Sequence, residues 1–130
     1  MDIQEIIKNS SFETIDGRFV YAKVKEMPQN GQHFMISKDA DEITVVAEEK
    51  NLENLEIIER NKEDYKLIAL KVSLPFYAVG FLATVTSAIA KEGMNVLVIS
   101  TYSKDYILVK EENIVKVEQI LLKLGFQKTL

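Results

Sequence analysis

The chain has 130 residues, a net charge of −4, 47 % hydrophobic and 28 % charged residues, and no cysteine. That balance is globular, with enough apolar mass for one compact domain or two small subdomains. It excludes disulfides, thiolate nucleophiles and Cys-ligated zinc. The scattered Lys and Arg leave no basic footprint for nucleic acid or an anionic membrane.

Met1 to Lys8 carries Asp2 and Glu5 and has no long apolar run, so it does not read as a secretory signal. No stretch of about 20 apolar residues exists to span a membrane. The expected location is the cytoplasm. Ile3, Ile6 and Ile7 are at helical spacing, which gives a short helix within Met1–Asn9. Asp16-Gly17 marks a turn, Met27–Gly31 a loop, and Lys38–Asp41 a polar hairpin tip. Arg18–Lys25 and Glu42–Ala47 are rich in β-branched or aromatic residues and read as strands. Leu52 and Leu55 sit in a charged segment, Glu48–Asp64, which reads as the connector between two halves.

The second half has clearer periodicity. Tyr65–Leu74 alternates, with Ile68, Leu70, Val72 and Leu74 on one face, and Pro75 is expected to end that strand. A helix follows from Gly80 to Glu92, with Leu82, Val85 and Ile89 as its apolar stripe and Gly93 just past its end. Asn95–Thr101 is a strand with apolar residues on both faces, and Tyr102-Ser103-Lys104 turns the chain into Asp105–Lys110. Asn113 is placed to N-cap a last helix striped by Ile114, Val117, Leu121 and Leu124. Gly125 closes it, and Phe126–Leu130 adds an edge strand.

This order, β-α-β-β-α-β, implies an α+β, ferredoxin-like four-stranded antiparallel sheet with both helices on one face. The other face needs cover from the first half, a second subunit, or both. Ser37–Val46 and Ser100–Val109 share a Ser, polar turn, acid and alternating strand, offset by one residue. Two related hairpins explain this, and so does the general similarity of hairpins. The expected division is a smaller β-rich subdomain at 1–60 and a ferredoxin-like domain at 61–130.

Three segments, Leu74–Ala83, Ile89–Val96 and Ile99–Val109, resemble an ACT domain, most closely the branch with the CASTOR-type arginine sensors and small tandem ACT proteins. The resemblance covers about residues 61 to 130, and Ser100-Thr101-Tyr102 followed by Asp105-Tyr106-Ile107-Leu108-Val109 is its most specific part. Asp41–Val46 resembles a hairpin of the same small proteins, which makes the first half a reduced ACT-like subdomain. The resemblance implies a regulatory, non-catalytic fold that binds amino acids between ACT units, usually as a homodimer. Many ACT domains carry an acid-x-x-Gly turn before the first helix; here it is Tyr77-Ala78-Val79-Gly80, with no acid.

The candidate ligand-binding residues are Gly80, Phe81, Leu82, Asn95, Ser100, Thr101 and Asp105. The amides of Gly80, Phe81 and Leu82 open a helix, where unpaired N–H groups and the dipole favour a carboxylate. The alternative for Gly80 is a turn that simply requires glycine. Asp105, with Ser100 and Thr101 across the hairpin, offers a carboxylate to an ammonium or guanidinium; the alternative is an acid that braces its own turn. Asn95 is either a ligand contact or a post-helix turn residue. Glu42, the first-half counterpart of Asp105, reads as a solvated edge acid, and Phe76 and Tyr77 as pocket wall or packing.

No cofactor, metal or catalytic residue is expected. His33 is the single histidine, and Asp39, Asp41 and Glu42 lack the EF-hand spacing. Nucleotide-binding and nucleophile-elbow motifs are missing too. The expected function is a small-molecule sensor, with an assembly module that binds no ligand as the alternative.

Overall fold

The structure, a computed structural model, describes residues 2–129. In chain order its elements are α1 (Ile3–Lys8), β1 (Ser11–Thr14), β2 (Phe19–Val24), β3 (Met35–Lys38), β4 (Ile43–Glu48), β5 (Ile57–Arg60), β6 (Tyr65–Lys71), α2 (Phe81–Lys91), β7 (Leu97–Ser100), β8 (Asp105–Lys110), α3 (Ile114–Leu124) and β9 (Gln127–Lys128). Short 3₁₀ turns follow β4 at Glu49–Asn51 and β8 at Glu111–Asn113. The chain forms two compact units. Gly17–Tyr65 makes one; the residues up to Asp16 join those from Lys66 onward in the other. This grouping differs from a division at 60 and 61, because the first sixteen residues fold with the C-terminal half.

In the C-terminal unit the strands lie in the order β7-β8-β6-β1-β9. A four-stranded sheet was expected; β1 makes a fifth strand. It runs antiparallel to β6, from Ser11 opposite Lys71 to Thr14 opposite Ile68, and parallel to β9. All three helices share one core with one face of the sheet. Ile6 and Ile7 of α1, Val85 and Ile89 of α2, and Val117 and Leu121 of α3 pack with Phe12, Ile68, Leu70, Ile107 and Val109. Leu67, Ala69 and Leu108 occupy the alternate positions and are also buried.

Local chemistry explains the element ends. A six-residue helix is too short to persist alone in water; α1 has an Asp2 cap on the Gln4 N–H at 3.3 Å and two fully buried isoleucines. Ser10 is the buried polar residue among those described. Its Oγ donates to the Ile6 carbonyl at 2.6 Å and accepts the Ser73 N–H at 3.0 Å. That bond takes Ser73 out of the ladder, so β6 stops at Lys71 rather than at Pro75. Asn113, expected to cap α3, is helical itself and makes no side-chain cap bond, because the chain enters α3 through the 3₁₀ turn. At the other end Phe126 N–H reaches the Leu121 carbonyl and Gly125 N–H the Leu122 carbonyl, both at 3.1 Å. This six-to-one, five-to-two closure requires a left-handed residue, which Gly125 supplies at φ 117°.

In the N-terminal unit the order is β3-β4-β2-β5. All its pairings are antiparallel. The inward positions Val20, Ala22, Val24, Val45 and Ala47 pack with Ile43, Leu52, Leu55 and Ile57. The β3–β4 tip is an Asx turn, with Asp39 Oδ1 accepting the N–H groups of Asp41 at 2.8 Å and Glu42 at 2.9 Å. β5 lies in the segment that reads as a connector: its Ile58 is exposed, so no alternation is visible.

Taken as first to fourth strands, β2, β3, β4 and β5 stand in the ferredoxin-like order second-third-first-fourth, without the two helices. A loop replaces the first helix and Glu49–Asn51 the second. Glu48 enters its 3₁₀ turn at φ −61°, ψ 145°, and Lys110 enters the matching turn at φ −60°, ψ 139°. The architecture is therefore α+β: the C-terminal unit is ferredoxin-like, and the N-terminal unit is β-rich with the same strand order.

Candidate functional site

A cleft of about 390 Å³ opens where β6 hands over to α2. Gly80, Phe81, Leu82 and Ala83 line it from the helix start, Val72, Pro75 and Ala78 from the segment before, and Asp105 from the β7–β8 hairpin. The volume is at the small end of ligand pockets, about 300–1,000 Å³.

The helix start is chemically open because of its cap. Gly80 is the N-cap, at φ 84°, and has no side chain to bond the first turn. A Ser or Asp there would accept the N–H of the second or third helical residue. Those residues are Leu82 and Ala83, and among the described residues their N–H groups meet no acceptor. The first turn carries no acid either. Phe81 differs from expectation: its N–H donates to the Ala78 carbonyl at 3.1 Å. The open donors of this turn are thus Leu82 and Ala83. A Cβ on Gly80 would meet nothing within 4 Å; the backbone angle, not crowding, calls for glycine.

Asp105 stands directly opposite Ser100. Ser100 Oγ donates to Asp105 Oδ1 at 2.6 Å, which orients the carboxylate and leaves Oδ2 available. Thr101 works for the turn instead, bonding the Lys104 carbonyl through its N–H at 2.8 Å and its hydroxyl at 3.2 Å. Asn95 is exposed and does not line the cleft. Of the seven candidate residues, Gly80, Phe81, Leu82 and Asp105 come together, Ser100 bonds Asp105 without lining the cleft, and Thr101 and Asn95 stand outside.

Sequence reasoning missed Ala83 and the apolar walls. A glycine N-cap was the available signal for Ala83, since it leaves the third helical amide as open as the second. Phe76 and Tyr102 do not line the cleft but touch edge to face, ring centroids 5.2 Å apart. They join the segment before α2 to the hairpin that carries Asp105.

Glu42 lines a separate cleft of about 320 Å³ on the N-terminal unit, with Tyr21, Lys23, Thr44, Glu59 and Arg60. It is a mixed-charge surface in which Lys23 lies across from Glu59. Among the described residues no group of three His, Asp or Glu side chains is arranged to hold a metal. No helix there is long and apolar enough to cross a membrane.

Residues 61–123 match the model of the ACT domain family. No curated protein matches the chain. Among solved structures, a Vibrio cholerae protein of unknown function, named as a possible transport protein, superposes with a TM-score of 0.78 at 22 % identity over 95 % of both chains. An Agrobacterium tumefaciens protein does so at 0.69 and 19 % identity, over 93 % of this chain and 92 % of its own. The ligand-free regulatory subunit of aspartate kinase from Thermus thermophilus gives 0.62 at 10 % identity, over 88 % of this chain and 95 % of its own. At these identities the likeness is one of fold. The family match and the ferredoxin-like architecture together support assigning residues 61–123 to the ACT domain family.

Proposed function

We propose that this chain is a non-catalytic, cytoplasmic regulatory protein that binds an amino acid in the cleft between the start of α2 and Asp105. One observation carries the reading: unpaired helix-start amides and an oriented carboxylate line the same small cleft. A zwitterion needs a donor set for its carboxylate and an acceptor for its ammonium, and the cleft offers both polarities. The regulatory role of the Thermus thermophilus subunit, which shares this fold, supports the same reading. We further read Gly17–Tyr65 as a second, reduced ACT-like unit, in the manner of the small tandem proteins.

At an ordinary efficiency of about 0.4–0.8 kcal/mol per heavy atom, an amino acid of about ten heavy atoms binds in the millimolar to micromolar range. Ligand at about 100 times its dissociation constant adds about 2.7 kcal/mol to stability, on the order of 5–10 °C in melting temperature at this chain length. A thermal melt against the twenty amino acids is expected to show such a shift for at least one of them. No shift at tens of millimolar with any of them rejects the reading.

Exposed apolar side chains favour assembly as well. Phe76, Tyr77, Val79 and Tyr102 are 64, 76, 90 and 84 % exposed, and β7 is an edge strand with Val98 outward. Apolar groups gathered this way on a small protein mark interaction surfaces. We propose a homodimer, and light scattering is expected to give about twice the 14.8 kDa chain mass. A monomer at ~100 μM, with and without amino acids, counts against it.

A further inference from the structure

The loop between β2 and β3 carries the dipeptide Asn30-Gly31. The chain has seven asparagines, and this is the one followed by glycine. Asparagine is a thermolabile residue, because the backbone nitrogen of the next residue can attack its side-chain amide carbon. A side chain on the attacking residue hinders that ring closure. Glycine has none, and it leaves the backbone free to turn toward the amide.

Both reacting groups are open in the structure. Asn30 and Gly31 lie outside the helices and strands and are exposed. Among the described residues the Asn30 side-chain amide has no hydrogen-bond partner and the Gly31 N–H meets no acceptor. The other asparagines differ. Asn9 donates to the Glu5 carbonyl at 3.0 Å, and the N–H after it, that of Ser10, is held by the Ile7 carbonyl at 2.9 Å. Asn61 accepts the Tyr21 N–H at 2.8 Å and donates to the Glu63 carbonyl at 2.6 Å. The N–H after Asn54, that of Leu55, donates to the Leu52 carbonyl at 3.1 Å. Asn51, Asn95 and Asn113 precede the branched residues Leu52, Val96 and Ile114.

We infer that Asn30 is a self-modification site, converted to aspartate and isoaspartate by cyclisation on Gly31 without an enzyme. The Gly31 nitrogen gives up its proton and bonds Asn30 Cγ. The Cγ–Nδ2 bond breaks, and Nδ2 leaves as ammonia with that proton. Water then opens the succinimide ring. Attack at the side-chain carbonyl gives aspartate; attack at the main-chain carbonyl gives isoaspartate, whose backbone runs through one extra methylene. The net change is one water consumed and one ammonia released, with no oxidant or reductant. Either product adds a negative charge one residue from Gly31, over which the His33 ring lies: a Cβ at Gly31 would come within 3.1 Å of His33 Nε2.

Incubation of the purified full chain at neutral pH, folded and in urea, tests this. Intact-mass spectrometry follows the change from amide to acid as a gain of about 1 Da. Tryptic mapping assigns it, since cleavage after Lys25 and Lys38 releases a peptide in which Asn30 is the single asparagine. In the folded chain that peptide is expected to split into aspartate and isoaspartate forms, at least about tenfold faster than any other asparagine converts. Its rate is expected to lie within about tenfold of the rate in urea, because the loop is already open. A folded rate further below the urea rate shows that the fold shields the site, and overturns the inference. So does equal conversion at all seven asparagines, or no mass gain. Gly31→Ala keeps the asparagine and adds the hindering carbon, in a loop outside the sheet ladders where a melt verifies the fold. Conversion is expected to slow at least about tenfold in the variant; an unchanged rate dismisses Gly31 as the attacking residue. The comparison of folded and urea-unfolded parent decides the matter even where the variant does not fold.

Discussion

Replacing Phe12 with alanine is expected to cost about 3–5 kcal/mol of unfolding free energy, the range for a buried aromatic removed from a core that cannot collapse. Phe12 is fully buried at the centre of β1. Its ring meets Phe126 edge to face, centroids 6.4 Å apart, and Phe126 meets Phe81 at 5.7 Å. The three rings join the N-terminal strand, the C-terminal segment and the first residue of α2. A domain of this size has only about 5–15 kcal/mol in total, so the variant stands close to unfolding. Urea denaturation reads the effect as a lower midpoint at unchanged slope. A loss below about 1 kcal/mol would mean that β1 is not part of this core. The polar contacts of β1 are weaker by comparison. The Lys71–Glu13 ion pair at 2.7 Å is more than a third exposed on both sides, and such pairs contribute at most about 1 kcal/mol.

Asp105→Ala is expected to separate binding from folding. In the free protein the carboxylate is bonded to Ser100, an exposed residue whose hydroxyl turns to water once the acid is gone. The melting temperature should therefore move little. The ligand loses a charge-assisted hydrogen bond to its ammonium, worth about 1.5–3 kcal/mol, or roughly 10- to 150-fold in affinity. Titration of the purified variant against an amino acid that stabilises the parent measures this directly. Equal affinity in parent and variant would place the ammonium elsewhere and dismiss Asp105 as a ligand contact.

The helices and the central strands were readable because their apolar periods are long. Leu82, Val85 and Ile89 in α2 and Val117 and Leu121 in α3 repeat at helical spacing, and Ile107 and Val109 alternate as a strand does. β1 and β5 were not readable for the opposite reason. Each has four residues; β1 has one large apolar side chain, and β5 has two adjacent isoleucines of which one faces outward. Their order comes from neighbouring strands, not from local pattern. Asn113 shows a subtler limit: its residue type favours a cap, but the backbone entering from the 3₁₀ turn already holds it in helical geometry.

By itself, the sequence determined what each segment can be: the β-α-β-β-α-β alternation, the glycines where left-handed backbone is needed, and a carboxylate at the head of a strand. Local forces set these, within a few residues of each position. Only the tertiary structure decided that residues 11–14 enter the C-terminal sheet between β6 and β9, that β6 ends where Ser73 turns to Ser10, and that Asp105 shares a cleft with amides more than twenty residues earlier in the chain. Those outcomes depend on which distant groups satisfy one another's hydrogen bonds and bury one another's surface, and no short window of sequence contains both partners.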